Sequence, residues 1–165
     1  MDILEAQDVV ANMAEDQADE LLKLDSQLCF PLYACSKEVV RHYAPYLDEL
    51  DLTYTQYLVM MALWEHGAMS VTKLGSLLYL DSGTLTPLLK KMEAKGFLTR
   101  TRSAQDERRV EVALTEAGCK LKERARAVPI AMGSCVDVTP EEAKQLVALL
   151  RKVLGCFDDR ADKHA

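Results

Sequence analysis

Residues 81–118 read DSGTLTPLLKKMEAKGFLTRTRSAQDERRVEVALTEAG, and a change of period inside them decides the fold. Over 82–95 the apolar residues are Leu85, Leu88, Leu89 and Met92, the i, i+3, i+4, i+7 spacing that lines one face of an α-helix. Gly96 closes that helix. From residue 97 the period is two. FLTRTR (97–102) and VEVAL (110–114) alternate as strands do, and the polar stretch SAQDERR joins them. Upstream, Val71, Leu74 and Leu78 mark a short helix, and YLDSG breaks it from the next.

Working outward, TYTQYLVMMALWEH (53–66) predicts a helix with Tyr54, Tyr57, Leu58, Met61 and Trp64 on one face, stopped by Gly67. LDSQLCFPLYACSKEVVRHYAPYLDEL (24–50) is helical through Leu32, Cys35, Val39 and Tyr43. Proline is cheap only in a first helical turn, so Pro31 puts the start close to Cys29. Pro45 is expected to end or bend the helix. Beyond the hairpin, one helix runs from Thr115 to about Val128, ahead of Pro129. Another begins at the capping box Thr139-Pro140-Glu141-Glu142, with the stripe Leu146, Leu149, Leu150, Val153 and Phe157. Residues 1–24 carry the pairs Ile3/Leu4, Val9/Val10 and Leu21/Leu22 and fit either an amphipathic helix or a frayed arm.

The expected class is mainly α with a small β-hairpin, one globular domain built on a winged helix-turn-helix. Its parts are an acidic arm (1–24), an N-terminal dimerisation helix (25–52), the winged helix-turn-helix region (53–114) and C-terminal dimerisation helices (115–165). The first and last helices carry more apolar surface than one small core needs, which points to a homodimer.

The 165 residues are 49% apolar and 28% charged, which excludes a disordered chain and a collagen. No apolar run approaches the roughly 20 residues of a membrane helix. The start, MDILEAQD, lacks the basic region of a secretory signal, so a cytoplasmic location is expected. The net charge of −6 argues against nucleic acid until its distribution is seen. Residues 1–24 hold seven acids and one lysine, whereas 73–109 hold eight bases and four acids. The basic patch coincides with the helix and hairpin.

Opposite the apolar stripe of 82–95 lie Ser82, Thr84, Thr86, Lys90 and Lys91. Most such polar faces are merely solvated. Here Arg100 and Arg102 on the first strand and Arg108 and Arg109 near the hairpin tip stand beside it. A polar helix suits the major groove and a wing-tip arginine the narrow minor groove. The five cysteines (Cys29, Cys35, Cys119, Cys135 and Cys156) and three histidines form no clustered ligand set, so neither metal nor cofactor is expected. Each cysteine by default is a free thiol packed as a small apolar group.

LDSQLCFPLYACSK, LTYTQYLVMMALWE, LYLDSGTLTPLLKKMEAKG and the DERR wing followed by LTEAG together resemble the MarR family of winged-helix repressors, in particular its OhrR-type organic hydroperoxide regulators. The resemblance spans residues 25–128. It implies a redox-sensing cysteine at Cys29, in the LCF triplet. A thiol at a helix N-terminus gains from the positive end of the dipole, and thiolate is the form a peroxide oxidises. It further implies that tyrosines 14 and 25 residues later, Tyr43 and Tyr54, donate to this sulfur; Tyr33, one turn away, is a third neighbour. Some relatives of this type carry a resolving thiol between the last two helices that joins the sensor of the other subunit, and Cys135 stands there. Cys35 lies some 120° round the helix from Cys29 and is expected in the core. Cys119 and Cys156 are expected to be bystanders. In the wing, Asp106 and Arg108 match the family's Asp-x-Arg, and Arg109 is placed to reach phosphate. Pro31 departs from the aliphatic residue expected there.

The implied protein is a homodimer that binds an inverted-repeat operator in double-stranded DNA when reduced and releases it when an organic hydroperoxide oxidises Cys29. Two alternatives carry different signatures. A repressor released by a phenolic or other small ligand would keep its DNA affinity after peroxide. A thiol peroxidase would turn over peroxide with a thiol reductant, and it has no use for a basic helix and wing.

Overall fold

The helix that decides the fold is started by its own side chains. The Asp81 carboxylate accepts from the Thr84 N–H at 2.8 Å and from the Thr84 hydroxyl at 2.8 Å, the geometry of an N-cap. Its apolar stripe then enters the core, with Leu85, Leu89 and Met92 all buried. The computed structural model describes residues 3–102 and 109–161, so Asp106 and Arg108 of the expected wing tip lie outside the described residues.

Nine α-helices are described, with a short 3-10 helix at Leu24–Ser26 before the third: α1 Ile3–Ala11, α2 Glu15–Glu20, α3 Cys29–Asp48, α4 Tyr54–His66, α5 Val71–Leu78, α6 Ser82–Ala94, α7 Glu116–Ala125, α8 Ala127–Gly133 and α9 Pro140–Ala161. The strands are β1 Met69–Ser70, β2 Leu98–Arg102 and β3 Val110–Leu114. The sheet is antiparallel in the order β1-β3-β2, with Met69 opposite Val112 and Arg100 also opposite Val112 on the other side. A two-residue strand has too few positions to show a period, so β1 has no signature in the sequence.

The chain forms two units, divided between Val128 and Pro129. In the first, Val59, Met60, Leu63, Leu74, Leu85, Leu89, Leu98 and Val112 form a closely packed centre. Two glycines permit the closest approaches. A Cβ on Gly75 would meet the Leu80 carbonyl oxygen at 2.7 Å, in the turn that carries α5 into α6. A Cβ on Gly118 would overlap the Phe97 carbonyl oxygen, where α7 presses on the start of the hairpin. The Trp64 indole donates to the Gly118 carbonyl at 2.9 Å and locks α4 to the same junction. The second unit is the remainder of α8 and α9. The α9 capping box is present: Glu142 N–H donates to the Thr139 hydroxyl oxygen at 3.3 Å, and Thr139 N–H to the Glu142 carboxylate at 2.8 Å.

Several expectations need correction. The buried residues of α4 are Tyr57, Val59, Met60, Ala62 and Leu63 with Gln56, so of the expected face Tyr54, Tyr57, Leu58, Met61 and Trp64 only Tyr57 is buried and Met61 is exposed. Gln56 is inside because it serves a capping box: its side-chain oxygen accepts from Thr53 N–H at 3.0 Å. Helix α3 begins at Cys29 as Pro31 requires, but Pro45 does not end it. The helical hydrogen bond lost at Pro45 frees the Arg41 carbonyl, and both residues are exposed, so water can replace it. Pro129 stops nothing either. The break falls at Arg126, and Pro129 occupies the permissive first turn of α8. All five cysteines are exposed, including Cys35, which was expected in the core. Of α3 only Leu47 is buried, so the chain's own core covers little but the last turns of that helix.

Candidate nucleic-acid interface and thiol site

Ser82, Thr84, Thr86, Lys90 and Lys91 are all exposed on α6. The two threonine hydroxyls are already oriented. Thr84 Oγ1 donates to Asp81, and Thr86 Oγ1 donates to the Ser82 carbonyl at 2.7 Å. The Asp81 carboxyl is held below its ordinary value, chiefly by the Thr84 backbone N–H and then by the Thr84 hydroxyl, so the cap stays ionised. Arg102 and Arg109 are exposed at the outer ends of β2 and β3. Arg100 is not displayed in this way. Its Nε and Nη2 donate to Glu93 Oε2 at 3.0 and 2.8 Å, and its backbone N–H donates to Glu93 Oε1 at 2.9 Å. Glu93 is a residue that sequence reasoning missed. The available signal was an acid and a base seven residues apart across the Gly96 turn.

Cys29 is the first residue of α3 and its side chain is exposed. Tyr43 and Tyr54 are brought together, ring centroids 4.9 Å apart, and Tyr57 joins them at 6.0 Å from Tyr43. Trp64 extends the group, edge-on to Tyr57 at 6.3 Å. Burial, followed by neighbouring phenols, pushes the Tyr43 and Tyr57 hydroxyls above their ordinary range, so both remain O–H donors at neutral pH. Tyr33 is outside this group; it is 64% exposed, with Lys37 Nζ 5.9 Å from its ring centre. Because α3 is continuous, Tyr43 lies 14 residues from Cys29, about 21 Å along the axis. A phenol reaches only a fraction of that distance. The tyrosines of one chain therefore do not touch its own Cys29.

Cys135 follows α8, with its Sγ 3.4 Å from the Ala131 carbonyl oxygen. Cys156 is exposed on α9. Cys119 lies on a groove of about 400 Å³ walled by Leu63, Trp64, Ala113, Leu114 and Lys122, a lining that includes neither Cys29 nor the tyrosines. Among the described residues, no helix is long and apolar enough to cross a membrane, and no three His, Cys, Asp or Glu side chains could hold a metal ion.

Comparison with known proteins adds context to this geometry. A family model described as transcriptional regulator SarA/Rot matches residues 41–125. The chain is 50% identical over 133 residues to the organic hydroperoxide resistance transcriptional regulator of Bacillus subtilis (strain 168), covering 81% of this chain and 90% of that protein. It is 41% identical over 140 residues to the HTH-type transcriptional regulator SarZ of Staphylococcus aureus (strain USA300), covering 85% and 95%. Among solved structures it is similar to AbfR of Staphylococcus epidermidis. Reduced AbfR bound to DNA matches with TM-score 0.69 and 35% identity, over 84% of this chain and 97% of that one. Disulfide-formed AbfR matches with TM-score 0.59 and 33% identity, over 86% and 99%.

Proposed function

This chain belongs to the MarR-like winged-helix transcriptional regulators, among the SarA/Rot and organic hydroperoxide (OhrR-type) regulators, and from that premise we propose that it is a redox-controlled repressor. It is a homodimer that binds double-stranded DNA at an inverted repeat. Ser82, Thr84, Thr86, Lys90 and Lys91 of α6 face the major groove. Arg102 and Arg109 flank it on the wing, and Asp106 and Arg108 supply the tip. A twofold dimer sets its two recognition helices about one DNA turn apart.

Cys29 is the sensor. Its thiolate attacks the distal oxygen of an organic hydroperoxide, the O–O bond breaks, the alcohol leaves with a proton, and sulfenic acid remains. The Cys135 thiol of the partner subunit then attacks that sulfur, a disulfide forms and water leaves. Since Tyr43 is about 21 Å along α3 from its own Cys29, and Tyr54 on α4 packs against Tyr43, the phenols that would steady this thiolate come from the partner subunit. The observation that carries the reading is the exposed Cys29 at the first residue of α3, beside the positive end of the helix dipole. Coupling of about 1.4 kcal/mol suffices for each tenfold fall in DNA affinity. The location that goes with this function is the cytoplasm.

The test treats reduced protein with one equivalent of cumene hydroperoxide, followed by non-reducing electrophoresis and peptide mass mapping. The expected product is a covalent dimer joining Cys29 to Cys135, absent from Cys29→Ser and from Cys135→Ser. An unmodified Cys29 would remove the redox reading. The groove beside Cys119 favours a second reading, release by a small apolar ligand, which predicts DNA affinity unchanged by peroxide.

A further inference from the structure

We propose that Glu93 sets the angle between the wing and the recognition helix by holding Arg100, which makes Arg100 a positioning residue and not a DNA contact. This rests on the DNA-binding reading above. The strand period puts Leu98, Arg100 and Arg102 on one face of β2, and Leu98 is buried. Arg100 therefore leaves the strand toward the α6 side and opposite the buried Val112, while Arg102 is one step further toward the tip. The Arg100 and Glu93 side chains are 23% and 35% exposed, and both carboxylate oxygens are occupied by Arg100 donors. Gly96, at φ +77°, turns the chain between them, with Gly96 N–H on the Glu93 carbonyl and Phe97 N–H on that of Met92. Helix end, turn and first strand thus form one hydrogen-bonded corner, and the Glu93 side chain is its diagonal. A planar guanidinium held at two nitrogens keeps direction as well as charge. The same donors keep the Glu93 carboxyl below its usual range, so the contact persists at neutral pH.

The two roles for Arg100 differ in sign. If Arg100 contacted phosphate and Glu93 merely competed for it, Glu93→Gln would release a cation and remove an anion, and binding would tighten. If Glu93 positions the wing, Glu93→Gln weakens specific binding although the net charge favours DNA. The experiment measures full-length reduced dimer by fluorescence anisotropy against two duplexes across a KCl series. One duplex is selected in vitro by the wild-type protein, and the other is its scrambled sequence. Glu93→Gln and Arg100→Lys are expected to lower the selected-to-scrambled affinity ratio about tenfold and to leave the salt slope unchanged. Arg102→Met, removing a contact from each subunit, is expected to flatten the slope by about 1.8. Tighter binding by Glu93→Gln, or wild-type discrimination in Arg100→Lys, overturns the proposal. If Glu93→Gln melts below the assay temperature, Arg100→Lys alone decides, since it keeps the charge and loses the fork. If wild type never prefers its selected duplex, the repressor reading itself fails. The corner is then judged by amide exchange over residues 98–102, which Glu93→Gln should accelerate and which unchanged protection would refute.

Discussion

Helices α6 and α9 carry the same kind of apolar stripe and meet opposite fates. On α6, Leu85, Leu89 and Met92 are sealed beneath α5 and the sheet. On α9, Leu149 is 62% and Phe157 59% exposed. The period of a sequence tells which face of a helix must be covered. It does not tell what covers it. For α6 the cover is the rest of the winged unit, whereas for α9 the proposed homodimer would supply a second copy of the chain. The N-terminal part of α3 behaves like α9, with Leu28, Phe30, Tyr33 and Val40 in the open.

Substitution should separate the two faces. Leu89→Ala opens a cavity in the winged unit and is expected to cost about 2–5 kcal/mol. Chemical denaturation would show this loss at every protein concentration. Leu149→Asp is expected to leave the winged unit folded and to weaken dimerisation roughly 100-fold, about 2.7 kcal/mol. Sedimentation equilibrium should then show monomer where wild type is dimeric, and a dimer of unchanged affinity would mean that α9 is covered by something else.

The caps offer a finer comparison. Thr139→Ala breaks the α9 capping box and is expected to cost about 1 kcal/mol, seen as a lower melting temperature. The smallest effect is acidic. Asp81 on α6 and Glu142 on α9 both have carboxyls held low by hydrogen bonds, mainly from the Thr84 and Thr139 backbone N–H groups. A depressed carboxyl stabilises above its unfolded value and loses that contribution as pH falls through the folded one. Stability should therefore decline as pH drops from the ordinary values of 3.8 and 4.5. Asp81→Asn, which still caps, should flatten part of that decline in a melting series from pH 6 to 3.

Much of this was legible in the sequence, because local periods are strong where one element spans several turns. Residues 82–114 announce a helix and two strands, and the Thr139 capping box stands in the text of the sequence. Of the face expected on α4 only Tyr57 is buried, because nearly every side of that helix is apolar, so the period has no contrast and burial is settled by tertiary neighbours. Pro129 is no stop because it sits in a first turn, and Pro45, expected to end or bend α3, does not end it because the freed carbonyl is exposed to water. Arg100 and Arg102 share the parity of Leu98, and what separates the held arginine from the displayed one is Glu93, whose partnership no period announces. Cys35 was assigned to a core that α3 barely enters. The excess apolar surface of the first and last helices points to a second subunit, but no sequence feature marks which residues it would cover.

The most direct measurement is operator affinity before and after oxidation, made on one protein preparation. A selected duplex would be titrated by anisotropy with reduced dimer, with dimer treated with one equivalent of cumene hydroperoxide, and with the treated sample after dithiothreitol. A redox repressor built on Cys29 predicts at least a tenfold loss on oxidation, recovery on reduction, and no response in Cys29→Ser. Equal affinities in all three samples of wild type would contradict it.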